Sequence, residues 1–155
     1  MKNMYEFTVK RQYVGKIADE SAKYQIKSPQ SVKEYLRNLE FYMDDQENMI
    51  VLLLDTRNVI KGFHVVTRGL LDRSHTHPRE IFKAAIISGA SKIILSHNHP
   101  SGDVTPSKQD ISSTRNIIDA GDIIGIKVID HIITGEHLGE FTSLSMRASG
   151  SMNWT

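Results

Sequence analysis

The chain has 155 residues, no cysteine and a formal net charge of +1. That length buries a sizeable core within a single domain. The lack of cysteine excludes disulfide scaffolds, thiol nucleophiles and every cysteine-ligated zinc site, and the near-neutral charge gives no overall electrostatic pull toward nucleic acid or an anionic membrane. The N-terminal MKNMYEFTVKRQYVGK lacks the apolar centre of a signal peptide, and the longest apolar run, Met49 to Leu54, is far too short to span a bilayer. A soluble, cytoplasmic protein with no membrane partner is expected.

Residues 1–27 mix a strand-like stretch, Tyr5 to Val14, with polar residues, and read as an N-terminal arm or edge hairpin. Ser28-Pro29 opens a helix, and from Ser31 the residues Val32, Tyr35, Leu36, Leu39 and Met43 share one helical face. MIVLLLD, Met49 to Asp55, predicts a strand buried on both faces. Thr56-Arg57-Asn58 predicts a turn and VIKGFHVV a second strand, together a hairpin. Gly69 to Pro78 reads as a loop. PREIFKAAIISG then has proline at its start and glycine at its end, with Ile81, Phe82, Ala85 and Ile86 on one face. KIILSHNH predicts another buried strand and PSGDV a loop. Thr105 and Pro106 read as an N-cap and an N1 proline for a helix from Ser107 to about Ala120. IKVIDHIITG predicts a last clear strand, and His137 to Phe141 a short one. Strands alternating with helices indicate an α/β fold, a mixed β-sheet flanked by helices. The main domain spans 28–145, with a tail at 146–155.

Two stretches, Ser74-His75-Thr76-His77-Pro78 and Ser96-His97-Asn98-His99-Pro100, share the pattern His-x-His-Pro. Alternate residues of a strand point to one face, so His97 and His99 project together from a strand end, where ligands of α/β sheets bind. Asp110 supplies a third ligand from the start of the next helix, with Ser107 three residues earlier on the same face. His97, His99 and Asp110 with one position left for water is the layout of a catalytic zinc centre, and the same donors also suit iron or manganese. The earlier copy has Ala85 and Ser88 at the corresponding spacings and no strand to align its histidines, which predicts solvated loop histidines there. His131, in IDHIIT, reads as a buried, hydrogen-bonded histidine with a supporting role left open; His64 and His137 carry no partner pattern.

The spacing of His97, His99, Ser107 and Asp110 matches the JAMM motif of MPN-type metalloproteases, and HNHPSGDVTPSKQD resembles the RadC branch of that group. HPREIFKAAI, DHIITG and Ser143-Leu144 agree with the same branch, so the resemblance covers about Ser28 to Leu144. It implies an MPN (JAMM) domain with cytidine-deaminase-like layering and one Zn(2+) per chain. It also implies a glutamate general base, which falls on Glu47 because ENMIVLLLD fits the branch's glutamate followed by an apolar strand. Glu40 and Glu80 are competitors; Glu80 is set aside because it lies in the branch's Pro-Arg-Glu-Ile helix. In this scheme Ser107 hydrogen-bonds the oxyanion, and the activity is zinc-dependent hydrolysis of an amide or isopeptide bond in a peptide or protein substrate.

Other classes fit less well. A zinc nucleobase deaminase needs cysteine ligands, which this chain lacks. The family's DNA-repair label suggests DNA association, but the charge does not support it, and the first 30 residues are too few and too strand-like for the helix-hairpin-helix module of full-length members. An inactive partner-binding scaffold would have lost ligands that are all retained here. The size and the N-terminal arm are compatible with a dimer.

Overall fold

A computed structural model describes residues 25–37, 39, 45–69, 77–135 and 140–144. The strand-like stretch expected at Tyr5 to Val14, His75, Glu40 and the tail at 146–155 lie outside the described residues. The elements in chain order are α1 (Pro29–Arg37), β1 (Asn48–Leu54), β2 (Ile60–Arg68), α2 (Pro78–Ser88), β3 (Lys92–Asn98), α3 (Lys108–Ile124), β4 (Lys127–Thr134) and β5 (Phe141–Ser143). The strands form one sheet in the order β2-β1-β3-β4-β5. β3 and β4 are parallel, joined through α3, and every other pair is antiparallel. This is the α/β fold with a mixed sheet that the alternating elements predicted.

Strand alternation divides the core between the two faces of the sheet. Met49, Val51 and Leu53 of β1, with Ile93 and Leu95 of β3, pack against Ile81, Phe82 and Ala85 of α2 and Ile117 of α3. Ile50, Leu52, Leu54 and Ile94 face the other way, onto Val32, Tyr35 and Leu36 of α1. β1 is therefore buried along its whole length, as its unbroken apolar run requires. His97 and His99 follow the parity of Ile93 and Leu95, which puts them on the face covered by α3.

Local chemistry sets the boundaries. Asp55 Oδ1 accepts the N–H groups of Arg57 and Val59, and Asn58 takes a positive φ of 62°, closing the β1–β2 hairpin. α2 ends at Gly89, whose left-handed conformation directs its N–H onto the last-turn carbonyls. Two expectations need correction. Ile86, read onto the apolar face, is 57% exposed, while Ile81, Phe82 and Ala85 are the buried residues of α2. Thr105 and Pro106 precede the helix; Ser107 is the N-cap, because its hydroxyl accepts from Asp110 N–H while the Asp110 carboxylate accepts from Ser107 N–H, a closed capping box. α3 also runs on past Ala120 to Ile124 and stops at left-handed Gly125.

Gly121 lies inside α3 for a packing reason. A Cβ there would sit 2.6 Å from the Ile126 carbonyl oxygen, 3.1 Å from Phe82 Cζ and 3.3 Å from Val128 Cγ2. The carbonyl belongs to the entry into β4 and cannot yield as a side chain can. Gly121→Ala is expected to destabilise the fold by about 1–3 kcal/mol, read as a lower urea midpoint with an unchanged slope. An unchanged midpoint would show that α3 and β4 separate at little cost.

Candidate metal centre

β1 and β3 lie side by side with Met49 opposite His97. This register carries Glu47, the residue just before β1, to the end of β3 where His97 and His99 emerge. His97 Nε2 is 2.9 Å from His99 Nε2 and 3.9 Å from Glu47 Oε1. From the start of α3, Asp110 places Oδ1 3.4 Å from His97 Nε2 and Oδ2 3.7 Å from His99 Nε2. Ser107 donates both its hydroxyl and its N–H to Asp110 Oδ2, each at 2.7 Å. All five residues singled out in the sequence are thus brought to one end of the sheet. Glu47, His99, Ser107 and Asp110 line a cavity of about 410 Å³ there, together with Ser101 and His131.

Glu47, His97 and His99 could hold a metal ion: one donor atom from each lies within 4.8 Å of the others. The donors suit a divalent ion for chemical reasons as well. His99 Nδ1 is 2.6 Å from the Asp103 carbonyl oxygen, which can only accept, so Nδ1 carries a hydrogen and the inward-facing Nε2 is the nitrogen offered to a metal. His97 is fully buried, and burial, reinforced by neighbouring His131, holds its pKa well below the ordinary histidine value. It is neutral, the form that ligates metals.

The two carboxylates differ. Burial opposes ionisation of Asp110, but the neighbouring His99 and His97 rings and the two Ser107 donors outweigh it and hold its carboxyl far below the usual range. Among the described residues no such donor reaches Glu47. Burial raises its pKa, the proximity of Asp110 adds to the rise, and only His99 works against it. His99 in turn is raised, chiefly by the Asp110 carboxylate beside it.

His77, from the second His-x-His-Pro stretch, sits on the surface as the N-cap of α2, accepting the N–H of Arg79 on Nδ1. Glu80 pairs with Lys83 at 2.8 Å on the exposed side of α2. His64 lies in β2.

Sequence reasoning passed over Asn98, between the two histidines. It points to the opposite face and acts as a surrogate peptide group beyond the end of the β1–β3 ladder. Its Oδ1 accepts the buried Asn48 N–H at 2.7 Å, and its Nδ2 donates to the Gln46 carbonyl at 3.0 Å. These are the peptide groups on either side of Glu47, and the Glu47 carbonyl itself accepts from Gly69 N–H at 2.9 Å. The asparagine of His-Asn-His therefore fixes the backbone that carries the glutamate. Asn98→Ala is expected to cost about 1–3 kcal/mol of stability by taking the acceptor from Asn48 N–H. Asn98→Asp, which keeps the acceptor, should cost less in the same denaturation measurement; equal costs would remove this bond from the account.

A family model described as the RadC-like JAB domain matches residues 26–150. The chain belongs to that family. Among curated proteins, the "UPF0758 protein" of Desulforamulus reducens is 48% identical over 116 residues, covering 75% of this chain and 48% of its own length. The protein of the same name from Moorella thermoacetica is 47% identical over 122 residues, 79% of this chain and 52% of its own length. That of Staphylococcus epidermidis is 49% identical over 100 residues, 64% of this chain and 43% of its own. The chain spans about half the length of the curated relatives it matches. The mixed sheet flanked by helices is consistent with a JAB domain. No helix among the described residues is long and apolar enough to cross a membrane.

Proposed function

We propose that this chain is a zinc-dependent hydrolase of the JAMM type, cleaving an amide or isopeptide bond in a peptide or protein substrate. The observation that carries the reading is the convergence of His97 Nε2, His99 Nε2 and the carboxylates of Asp110 and Glu47 at one edge of an open cavity. His97, His99 and Asp110 would hold one zinc ion. The contrast between the carboxylates supports dividing their roles this way. Asp110 stays ionised and its side chain is only 14% exposed, which suits a ligand. Glu47 is 33% exposed with a raised pKa, which suits a group that takes up and releases a proton. Bound there, zinc supplies Lewis acidity toward a carbonyl oxygen and makes water more acidic.

The remaining work falls to side chains. Glu47 takes a proton from the attacking water and delivers it to the leaving amine. Ser107 lines the same cavity, and turning its hydroxyl from Asp110 would provide a donor for the oxyanion of the tetrahedral intermediate. The test is a peptide and isopeptide library incubated with the zinc-loaded protein. Cleavage that a chelator abolishes and zinc restores is expected. Cleavage indifferent to chelation, or none with any amide substrate, would count against the reading. Ser107→Ala should lower kcat by about 10²–10³-fold if the hydroxyl serves the oxyanion; weaker zinc binding with kcat intact at saturating zinc would assign it to holding Asp110 instead.

A further inference from the structure

We propose that Thr114, acting through His131, sets the tautomer of His97 and so keeps the His97 Nε2 lone pair on the metal point. Both are positioning residues, and the inference rests on the metal reading above.

His131 lines the cavity but offers a metal no nitrogen, since both its ring nitrogens are already engaged. It is buried, with Nε2 2.7 Å from His97 Nδ1 and Nδ1 2.6 Å from Thr114 Oγ1. Thr114, on α3, is completely buried, and its Oγ1 is also 2.6 Å from the main-chain carbonyl oxygen of Asp110, one turn earlier. Proton positions along this chain follow from its end. A carbonyl oxygen only accepts, so the single hydroxyl hydrogen of Thr114 lies between Oγ1 and the Asp110 carbonyl. The reverse arrangement would leave two oxygens 2.6 Å apart with no hydrogen between them. With its hydrogen committed, Thr114 Oγ1 can only accept from His131, which must carry its proton on Nδ1.

His131 is buried and its two nitrogens meet uncharged partners, Thr114 Oγ1 and His97 Nδ1, so a single ring hydrogen, already on Nδ1, satisfies it and its Nε2 accepts. His97 Nδ1 must then donate to that nitrogen. With the one hydrogen of the buried His97 ring on Nδ1, its other nitrogen, Nε2, presents its lone pair toward His99, Asp110 and Glu47. The chain begins at the backbone of Asp110 and ends beside the carboxylate of the same residue. No link can reverse without breaking the first.

A β-bulge makes the contact. β4 shifts register against β3 between Ile93 and Ile94, whose partners are Val128 and Asp130. Val128 faces the α2–α3 core; in a regular strand Asp130 would share that face and His131 would point away. The extra residue, Ile129, inverts the parity and places His131 beside Leu95 and under His97.

The experiment combines long-range proton–nitrogen correlation spectra of the imidazoles in metal-free protein with zinc affinity by competition titration. In the wild type, His97 and His131 should both appear as the Nδ1–H tautomer. Thr114→Val, close in volume but without the hydroxyl, should give a mixture of tautomers at His97 and weaken zinc binding by about 10–100-fold. Thr114→Ser should restore both readouts, which separates the relay from a packing role. A wild-type His97 protonated on Nε2, or a Thr114→Val protein with unchanged spectrum and affinity, would overturn the relay. Wild-type protein with the expected tautomers that binds no zinc would instead overturn the metal reading.

Discussion

Glu47→Gln is expected to keep zinc and lose about 10²–10⁴-fold in kcat. The substitution preserves size and leaves the backbone clamp of Asn98 and Gly69 intact, since those bonds go to main-chain groups around residue 47. It removes only the capacity to take up a proton. The parent carboxyl is suited to that capacity because burial raises its pKa while its partial exposure leaves it open to the cavity. Parallel zinc titration and kinetics on an amide substrate check the split. A Gln variant that retained activity would remove Glu47 as the base. One that lost zinc as well would make Glu47 a ligand, a role that its 3.9 Å approach to His97 also permits.

His97→Ala is expected to abolish stoichiometric zinc binding, with affinity falling at least ~100-fold, beyond the 10–100-fold typical of losing an outer partner of a ligand. The histidine is buried in the sheet, so its removal also takes the donor from His131 Nε2 and is expected to cost about 1–3 kcal/mol of stability. His99→Ala is the companion that separates the two effects. Its ring is 17% exposed and outside the apolar core, so zinc should be lost with a much smaller shift of the urea midpoint. Both variants folded and still binding zinc at wild-type affinity would place the metal elsewhere.

The sequence made part of this centre legible because that part is local. Two histidines one residue apart at a strand exit must share a face, and Ser107 and Asp110 are tied together within one helix start. The capping box shows why the cap itself was misplaced by two residues. Thr105-Pro106 has the right residue types, but the closed pair of side-chain bonds forms only from Ser107. Glu47 came from a family resemblance rather than from the residues around it. Its proximity depends on β1 pairing with β3 in one particular register, and no local pattern encodes that pairing. His131 was harder still. Strict alternation gives the wrong face for it relative to Val128, and only the bulge at Ile129 turns it under His97. The fold itself was accessible because β1 and β3 carry unbroken apolar runs and α2 carries a proline start and a glycine stop. Ile86 was misread because helical periodicity gives the direction of a face and not the width of the surface it meets.

The centre itself is tested most directly by the metal content of the protein purified without chelators or metal-affinity resin. Elemental analysis should find close to one zinc per chain in the wild type and almost none in His99→Ala. Wild-type protein that carries no zinc, and takes up none when titrated with it, would contradict the account.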